Sequence, residues 1–335
     1  MDIVKLGIAG VGHFGRFHAL KAAASPRAQL VGVYDLDPER ARTVGWEAGA
    51  APMPLEELIA ASDAIVVATP AEAHHDVAMA AMRAGRHVLI EKPIASTLAE
   101  ADALAAMALD QDLVLQVGHL ERFSAAHGAV TARMGKPLYI EAVRVAPFKL
   151  RGTDVSVILD LMIHDLDLVL ALVDAPIESV DAVGAIVSSA HEDIANARVR
   201  FTNGCVATIT ASRISLKTER RMRIFAQSGY LAVDFANRKL TAITRGDSGG
   251  MPLPGMPEFR LEEISWQDHD ALAAEHAAFF ASILDGAPVL VDAPAGRRAL
   301  DAALAVGASM ERSHALVRAS GLLSEQIENG GGSRV

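Results

Sequence analysis

The 335-residue chain has one cysteine, Cys205, two tryptophans and three tyrosines. A lone cysteine excludes an intramolecular disulfide framework and any zinc site built on thiolates. No apolar run approaches the ~20 residues that a helix needs to cross a bilayer, so no membrane partner is expected. A block of lysine and arginine is also missing: 41 acidic residues outnumber 31 basic ones, for a formal net charge of -10. Phosphate contacts supply most nucleic-acid affinity, so nucleic acid is not an expected partner of such a chain. The first residues, Met1-Asp2-Ile3-Val4-Lys5, run straight into an apolar strand pattern and do not read as a signal peptide. A soluble cytoplasmic protein is the expectation.

What is present is an alanine-rich, 51% hydrophobic chain, long enough for two domains and a large core. Its first third alternates apolar runs with helical patterns. Strands are read at 4–9, 29–34, 64–68, 88–90 and 113–117, and helices at 14–24, 38–45, 71–84 and 98–109. This alternation predicts a doubly wound parallel sheet with right-handed crossovers. A helix at 122–134, a strand at 138–146 and a helix at 155–173 follow. From about 178 to 244 strands then come without helices between them. Ala195, Ala197, Val199 and Phe201 alternate with Asn196, Arg198 and Arg200, and a similar alternation runs from Cys205 to Ala211. Asn203-Gly204 between the two runs is a strong hairpin signal. An antiparallel sheet is expected, one face packed and the other more polar. Residues 246–258 read as a loop, and helices near 270–284 and 294–315 close the chain. The domains are therefore drawn at 1–120 (dinucleotide-binding) and 121–327 (substrate-binding), with 328–335 as a disordered tail.

Gly10-Val11-Gly12-His13-Phe14-Gly15 matches G-x-G-x-x-G between a predicted strand and a predicted helix. Gly10 allows a tight turn, Gly12 lets the backbone approach a pyrophosphate, and Gly15 lets helix and strand pack closely. The helix N-terminus then favours phosphate. The alternative is a plain strand–turn–helix. Asp35, 20 residues after Gly15, stands where an acid bonds the adenosine ribose. Its charge would repel a 2′-phosphate and favours NAD over NADP; the alternative is a turn residue ahead of Pro38. Thr69-Pro70 and His74 lie at the same carboxyl edge, suited to the nicotinamide half, unless Thr69 only caps a helix. The expected cofactor contacts are Gly10, Gly12, His13, Phe14, Gly15, Asp35, Thr69, Pro70, His74 and Glu91.

Glu91-Lys92-Pro93 ends the apolar run at 87–90. A lysine there points into the crevice where such folds bind ligands, beside the cofactor. In the apolar helix that follows, Asp160, His164 and Asp167 fall at i, i+4 and i+7 on one face. A carboxylate facing an imidazole one turn away can fix its tautomer. The alternative is a solvated helix stripe. No second histidine at ligand spacing supports a metal site.

In this order, these motifs resemble the Gfo/Idh/MocA family, the glucose–fructose oxidoreductase and inositol dehydrogenase relatives, over essentially the whole chain. The resemblance implies an N-terminal Rossmann domain. It also implies a C-terminal domain with a large open sheet that commonly mediates homodimers or homotetramers. The implied reaction is reversible oxidation of a sugar or cyclitol hydroxyl by NAD(P). It further implies Lys92 and His164 as the catalytic pair, Asp160 as their support, and a cis Lys92–Pro93 bond. General-base chemistry suits an imidazole titrating near neutrality. The lysine suits the developing negative charge. The two roles can be exchanged on sequence grounds.

Two strings, Val117-Gly118-His119-Leu120-Glu121-Arg122-Phe123 and Arg151-Gly152-Thr153-Asp154-Val155 with Leu159–Asp165, resemble the family members that oxidise the 3-hydroxyl of UDP-N-acetylglucosamine. Those enzymes feed an aminotransferase whose 3-amino sugar can enter lipid A. Where they read Asn-Pro after Arg-Phe, this chain has Ser124-Ala125. A diphosphate needs cations, and Arg122, Arg144, Lys149 and Arg151 are the candidates. Solvated surface charge is the alternative for each. A dehydrogenase of a free cyclitol or aldose, and a cofactor-binding regulator without catalysis, are the competing functions.

Overall fold

The computed structural model describes residues 3–149, 155–246, 250–267 and 269–321. The expected tail at 328–335 and Arg151 lie outside them.

The first sheet is built from β1 (Val4–Ala9), β2 (Ala28–Tyr34), β3 (Ala51–Pro52), β4 (Ala64–Val67), β5 (His87–Glu91) and β6 (Leu115–Gly118). Helices α1 (His13–Ala24), α2 (Pro38–Ala48), α3 (Leu55–Ala61), α4 (His74–Arg83) and α5 (Leu98–Asp110) connect them. The order β3-β2-β1-β4-β5-β6 is parallel throughout. β4 is Ala-Ile-Val-Val and wholly buried, as a strand covered by helices on both faces must be. The strand order reverses beside β1, and the crevice at the carboxyl ends of β1 and β4 is where such sheets bind ligands.

The second sheet has nine strands. These are β7 (Pro137–Val145), β8 (Ile177–Ala185), β9 (Ile194–Phe201), β10 (Val206–Ser212), β11 (Glu219–Ala226), β12 (Gly229–Asp234), β13 (Lys239–Arg245), β14 (Met251–Leu253) and β15 (Met256–Ser265). Their order is β14-β15-β13-β12-β11-β7-β10-β9-β8, antiparallel except for the central β7–β10 pair. Helices α6 (Ala125–Thr131), α7 (Ile163–Val173), α8 (Ala271–Asp285) and α9 (Ala293–Ala319) complete the fold. One sheet face, with Ile140, Ala142, Val199, Ile209 and Ile224, packs on α7 and α9. The opposite face carries polar pairs such as Asn196–Thr210 and Arg223–Glu141.

The fold differs from the expected one in four places. The helix expected at 122–134 is a 3-10 turn (Leu120–Phe123) and then α6, divided at Ser124, whose hydroxyl caps α6 by accepting the His127 N–H. The helix expected at 155–173 opens with a π-helical turn at Ile158–Met162. The Gly/Pro-rich stretch at 246–258, expected to be a loop, contains β14 and the start of β15; Pro252 lies on the sheet's edge strand, where a missing N–H costs least. Finally, α8 lies within 121–327 but packs on the first domain, where Phe279 and Phe280 join Leu6 and Ile8 in one core.

Candidate active site

Each glycine of the fingerprint meets a different requirement. Gly10 has φ +86°, and a Cβ there would fall 2.6 Å from the Thr69 nitrogen, where the loops after β1 and β4 approach closely. A Cβ on Gly15 would fall 1.8 Å from the Gly10 oxygen, so α1 can approach the turn only with glycine there. A Cβ on Gly12 would meet nothing within 4 Å. The open side of the loop is thus at Gly12, where a pyrophosphate needs room. Gly12 gives α1 no side-chain cap and the first turn has no acid, whereas Asp37 caps α2 and Thr97 with Glu100 caps α5. A helix start left in this way suits an anionic ligand.

Asp35 follows β2 directly. Its carboxylate accepts the Val11 and Asp37 N–H groups, each at 2.9 Å, and an Arg40 N–H at 3.1 Å. These bonds hold the acid against the glycine loop. His13 and Phe14 begin α1, packed edge-to-face at 5.6 Å, and Phe14 is exposed. Past β4, the Thr69 hydroxyl is buried with no hydrogen-bond partner, and Pro70 leads into a short 3-10 turn. The residues present fit a dinucleotide.

His74 and Glu91 face inward. The His74 ring bridges the carbonyl oxygens of Pro93 (2.8 Å) and Thr69 (2.9 Å). Burial lowers its pKa, and the neutral ring donates to one of the two. Glu91 Oε2 accepts the Lys92 N–H at 3.1 Å, and its Oε1 lies 2.9 Å from His18 Nε2. An ionised Glu91 can only accept, so His18 donates from Nε2. Its Nδ1 then accepts from His276 Nε2 at 2.8 Å. Burial raises the Glu91 pKa, but His18 and Lys92 outweigh it and the net direction is down. Burial, with Glu91 nearby, pushes the Glu275 carboxyl well up. His18 and His276 thus form a buried support under Glu91, with the unpartnered Glu275 carboxyl close by, and none of the three was singled out from sequence. The signal was present: His18 lies one turn beyond the glycine loop, on the face of α1 that packs inward.

Lys92 crosses from the first domain to the second. The Lys92–Pro93 bond is cis. The ammonium donates to the backbone oxygens of Asp160 (2.8 Å) and Leu159 (3.4 Å), and the Asp160 carboxylate lies 3.9 Å away. The contact falls on the π-helical turn, a feature that often marks functional sites. His164 follows one turn later, its Nδ1 buried without a hydrogen-bond partner. The expectation that Asp160 holds the His164 tautomer is therefore not met: no Asp160–His164 hydrogen bond occurs among the described residues, and the Asp160 carboxylate turns toward Lys92. His164 also does not titrate near neutrality. Burial first, then the charges of Lys92 and Arg144, hold its pKa well below the ordinary value.

His119, given no role of its own from sequence, stands directly after β6, whose Gly118 pairs with Glu91. It is buried, and neither ring nitrogen has a hydrogen-bond partner. Burial lowers its pKa, opposed by Asp167.

The four proposed diphosphate ligands separate. Arg144 lies on the inner face of β7 with its side chain 4% exposed. It meets Asp165 through Nε (2.8 Å) and Nη2 (3.0 Å) and Glu121 through Nη1 (2.9 Å). A guanidinium closed on both sides by carboxylates is an internal strut, so the expectation that it serves a diphosphate is corrected. Arg122 Nη1 reaches the buried Asp167 at 3.5 Å. Lys149 is exposed in the segment after β7. Arg151 is not described.

Residues 4–119 match the family described as oxidoreductase family, NAD-binding Rossmann fold, and residues 129–232 match the GFO/IDH/MocA C-terminal domain. The chain belongs to this family of NAD-binding oxidoreductases. It is 45% identical over 313 residues to the UDP-N-acetylglucosamine 3-dehydrogenase of Acidithiobacillus ferrooxidans, covering 92% of this chain and 97% of that protein. A solved structure of that enzyme superimposes with a TM-score of 0.87 at 44% identity, over 93% of this chain and 99% of the other. A scyllo-inositol dehydrogenase from Lactobacillus casei, solved with NAD(H) and scyllo-inositol, shares the fold (TM-score 0.77, 21% identity, 93% and 98% covered).

Proposed function

We propose that the protein oxidises a sugar hydroxyl to a ketone with NAD, and that its substrate is UDP-N-acetylglucosamine, oxidised at the 3-hydroxyl. The observation that carries the reaction is the meeting of Lys92 and the Asp160–His164 segment across the two domains, beside the glycine loop. The 45% identity to an enzyme of that name supports the substrate.

Bound NAD supplies the hydride acceptor, and the protein's residues handle the proton and the charge. His164, kept neutral by burial and by neighbouring cations, takes the hydroxyl proton on its imidazole, with a basicity lower than the one that best suits a general base at neutral pH. Lys92, held by two carbonyl oxygens, donates a hydrogen bond to the same substrate oxygen and stabilises its developing charge. Asp160 supports the lysine. The unpartnered nitrogens of His119 and the unpartnered Asp167 Oδ2 are costly in a closed protein, and a polyhydroxyl ligand offsets that cost.

In this reading the keto sugar nucleotide passes, in the cytoplasm, to an aminotransferase that makes a 3-amino sugar for lipid A. The protein works as a homodimer or homotetramer. Support for association is the outer face of the nine-stranded sheet, where the tilted rings of Tyr139, Phe225 and Tyr230 lie in a row and Phe225 is exposed.

The test is purified protein with NAD and a panel of UDP-sugars, free hexoses and inositols, followed by NADH absorbance with and without an aminotransferase drawing off the ketone. NADH formation with UDP-N-acetylglucosamine alone is expected. Turnover of an inositol in its place would assign the competing activity, and no NADH with any of them would remove the enzymatic reading.

A further inference from the structure

A cleft in the second domain opens between the 3-10 turn at 120–123, the start of β11, the β12–β13 turn and the segment after β15. Arg220, Arg238 and His269 line it together with the rings of Phe235 and Trp266, and Glu121 forms part of its floor. Glu121 ties the cleft to the reacting centre. It pairs with Arg144, which pairs with Asp165, the residue next to His164.

The charges in this chain are unequally shared. Arg144 approaches Glu121 to 2.9 Å and also holds Asp165, whereas Arg220 reaches Glu121 only at 3.8 Å. Arg220 is therefore the second claimant on a carboxylate already engaged. Unlike Arg144, it is accessible, with a side chain 51% exposed. Arg238 adds a second exposed cation from the β12–β13 turn, where its backbone is held at φ +55°. Two aromatic rings line the same cleft, on residues next to these cations: the Phe235 N–H donates to the Arg220 carbonyl (2.9 Å) and the Trp266 N–H to that of Arg238 (3.3 Å). Guanidinium groups recognise phosphate oxygens, and flat apolar rings accept a nucleobase. The requirement that a nucleoside diphosphate sets, two cations beside a stacking surface, is thus met here and not at Arg144.

We propose that this cleft binds the nucleoside diphosphate end of the substrate, Arg220 and Arg238 taking the diphosphate and Trp266 with Phe235 the base. The assignment rests on the reading of the substrate as a sugar nucleotide and names the residues that select it over a free sugar.

The experiment uses the full chain with NAD, and UDP without its sugar as the probe. Calorimetry gives the UDP dissociation constant for wild type, Arg220→Gln, Arg238→Gln, the double variant and Trp266→Ala. Kinetics give KM and kcat for UDP-N-acetylglucosamine, and NAD affinity and Tm report on the fold. We expect the double variant to weaken UDP binding and raise KM at least tenfold, with NAD affinity and Tm unchanged. Trp266→Ala should weaken UDP binding severalfold. If Arg220→Gln lowers Tm, Arg238→Gln on its exposed turn carries the same comparison. A double variant within twofold of wild type in both UDP affinity and KM overturns the site while leaving the substrate reading intact. A wild type that neither binds UDP nor turns over the sugar nucleotide overturns both.

Discussion

The Lys92 ammonium lies 2.8 Å from the backbone oxygen of Asp160 and 3.9 Å from its carboxylate, so one residue of the helix holds the lysine in two ways. Only the second can be removed by mutation. Lys92→Ala and His164→Ala should each lower kcat by ~10²–10⁴-fold, the range of a lost acid–base or charge-stabilising group. NAD affinity, measured by calorimetry, should stay near wild type in both. Asp160→Ala should cost less, on the order of tenfold, because the carbonyl bonds to the lysine remain. Near-wild-type turnover in Lys92→Ala or His164→Ala would take that residue out of the mechanism.

The fingerprint glycines should fail in different ways. Gly12→Ala adds a methyl group that meets no protein atom within 4 Å. Its Tm should be unchanged and its NAD dissociation constant raised, by about tenfold or more. Gly15→Ala forces a Cβ to within 1.8 Å of the Gly10 oxygen. That variant should unfold at a clearly lower temperature even without cofactor. The reverse pattern would mean that the phosphate does not lie at Gly12.

In the proposed reading Asp35 discriminates between cofactors by charge, and Arg40 already stands 3.1 Å from it. Asp35→Ser removes the repulsion and releases the guanidinium. The ratio of kcat/KM for NADP to that for NAD should rise at least tenfold. An unchanged ratio would show that the ribose lies elsewhere.

Acid should destabilise the fold through its buried imidazoles. Burial holds His74, His119, His164 and His276 below the ordinary histidine range. His127 is lowered to about 4 by burial and by Arg122. An unfolded chain binds these protons at about pH 6.5 and the folded one refuses them, so stability falls as pH drops from about 6.5. For His127 the loss runs from there to about pH 4. The fall in Tm between pH 7 and pH 5 should therefore be smaller in His127→Gln than in wild type. Equal falls would show that His127 protonates without resistance.

Much of the first domain is legible in sequence, because a parallel sheet needs continuous apolar strands and its turns need glycine. The two-residue β3 has no periodicity to read, and it escapes notice along with α3. In the second domain, alternation along β9 and β10 predicts their pairing across Asn203-Gly204, as found. It cannot predict that β10 runs parallel to β7, a contact between strands more than 60 residues apart. The same limit governs the site. Gly10, Gly12, Gly15 and Asp35 act within one local unit and can be read from their spacing. Arg144 cannot, since its role depends on Asp165 and Glu121 arriving from other elements. His119 looks like any residue after a strand until its neighbours are known.

Helix α8 has one more consequence. His276 hydrogen-bonds His18, and Phe279 and Phe280 close the core around Leu6 and Ile8. A ribosome that has delivered only residues 1–120 has therefore released a nucleotide-binding domain without its last wall. That domain should stay open, and exposed to chaperones and proteases, until Asp285 at the end of α8 has emerged. A gene cut at the apparent domain boundary should yield an insoluble fragment, whereas one joining residues 1–120 to the α8 segment should be far better behaved.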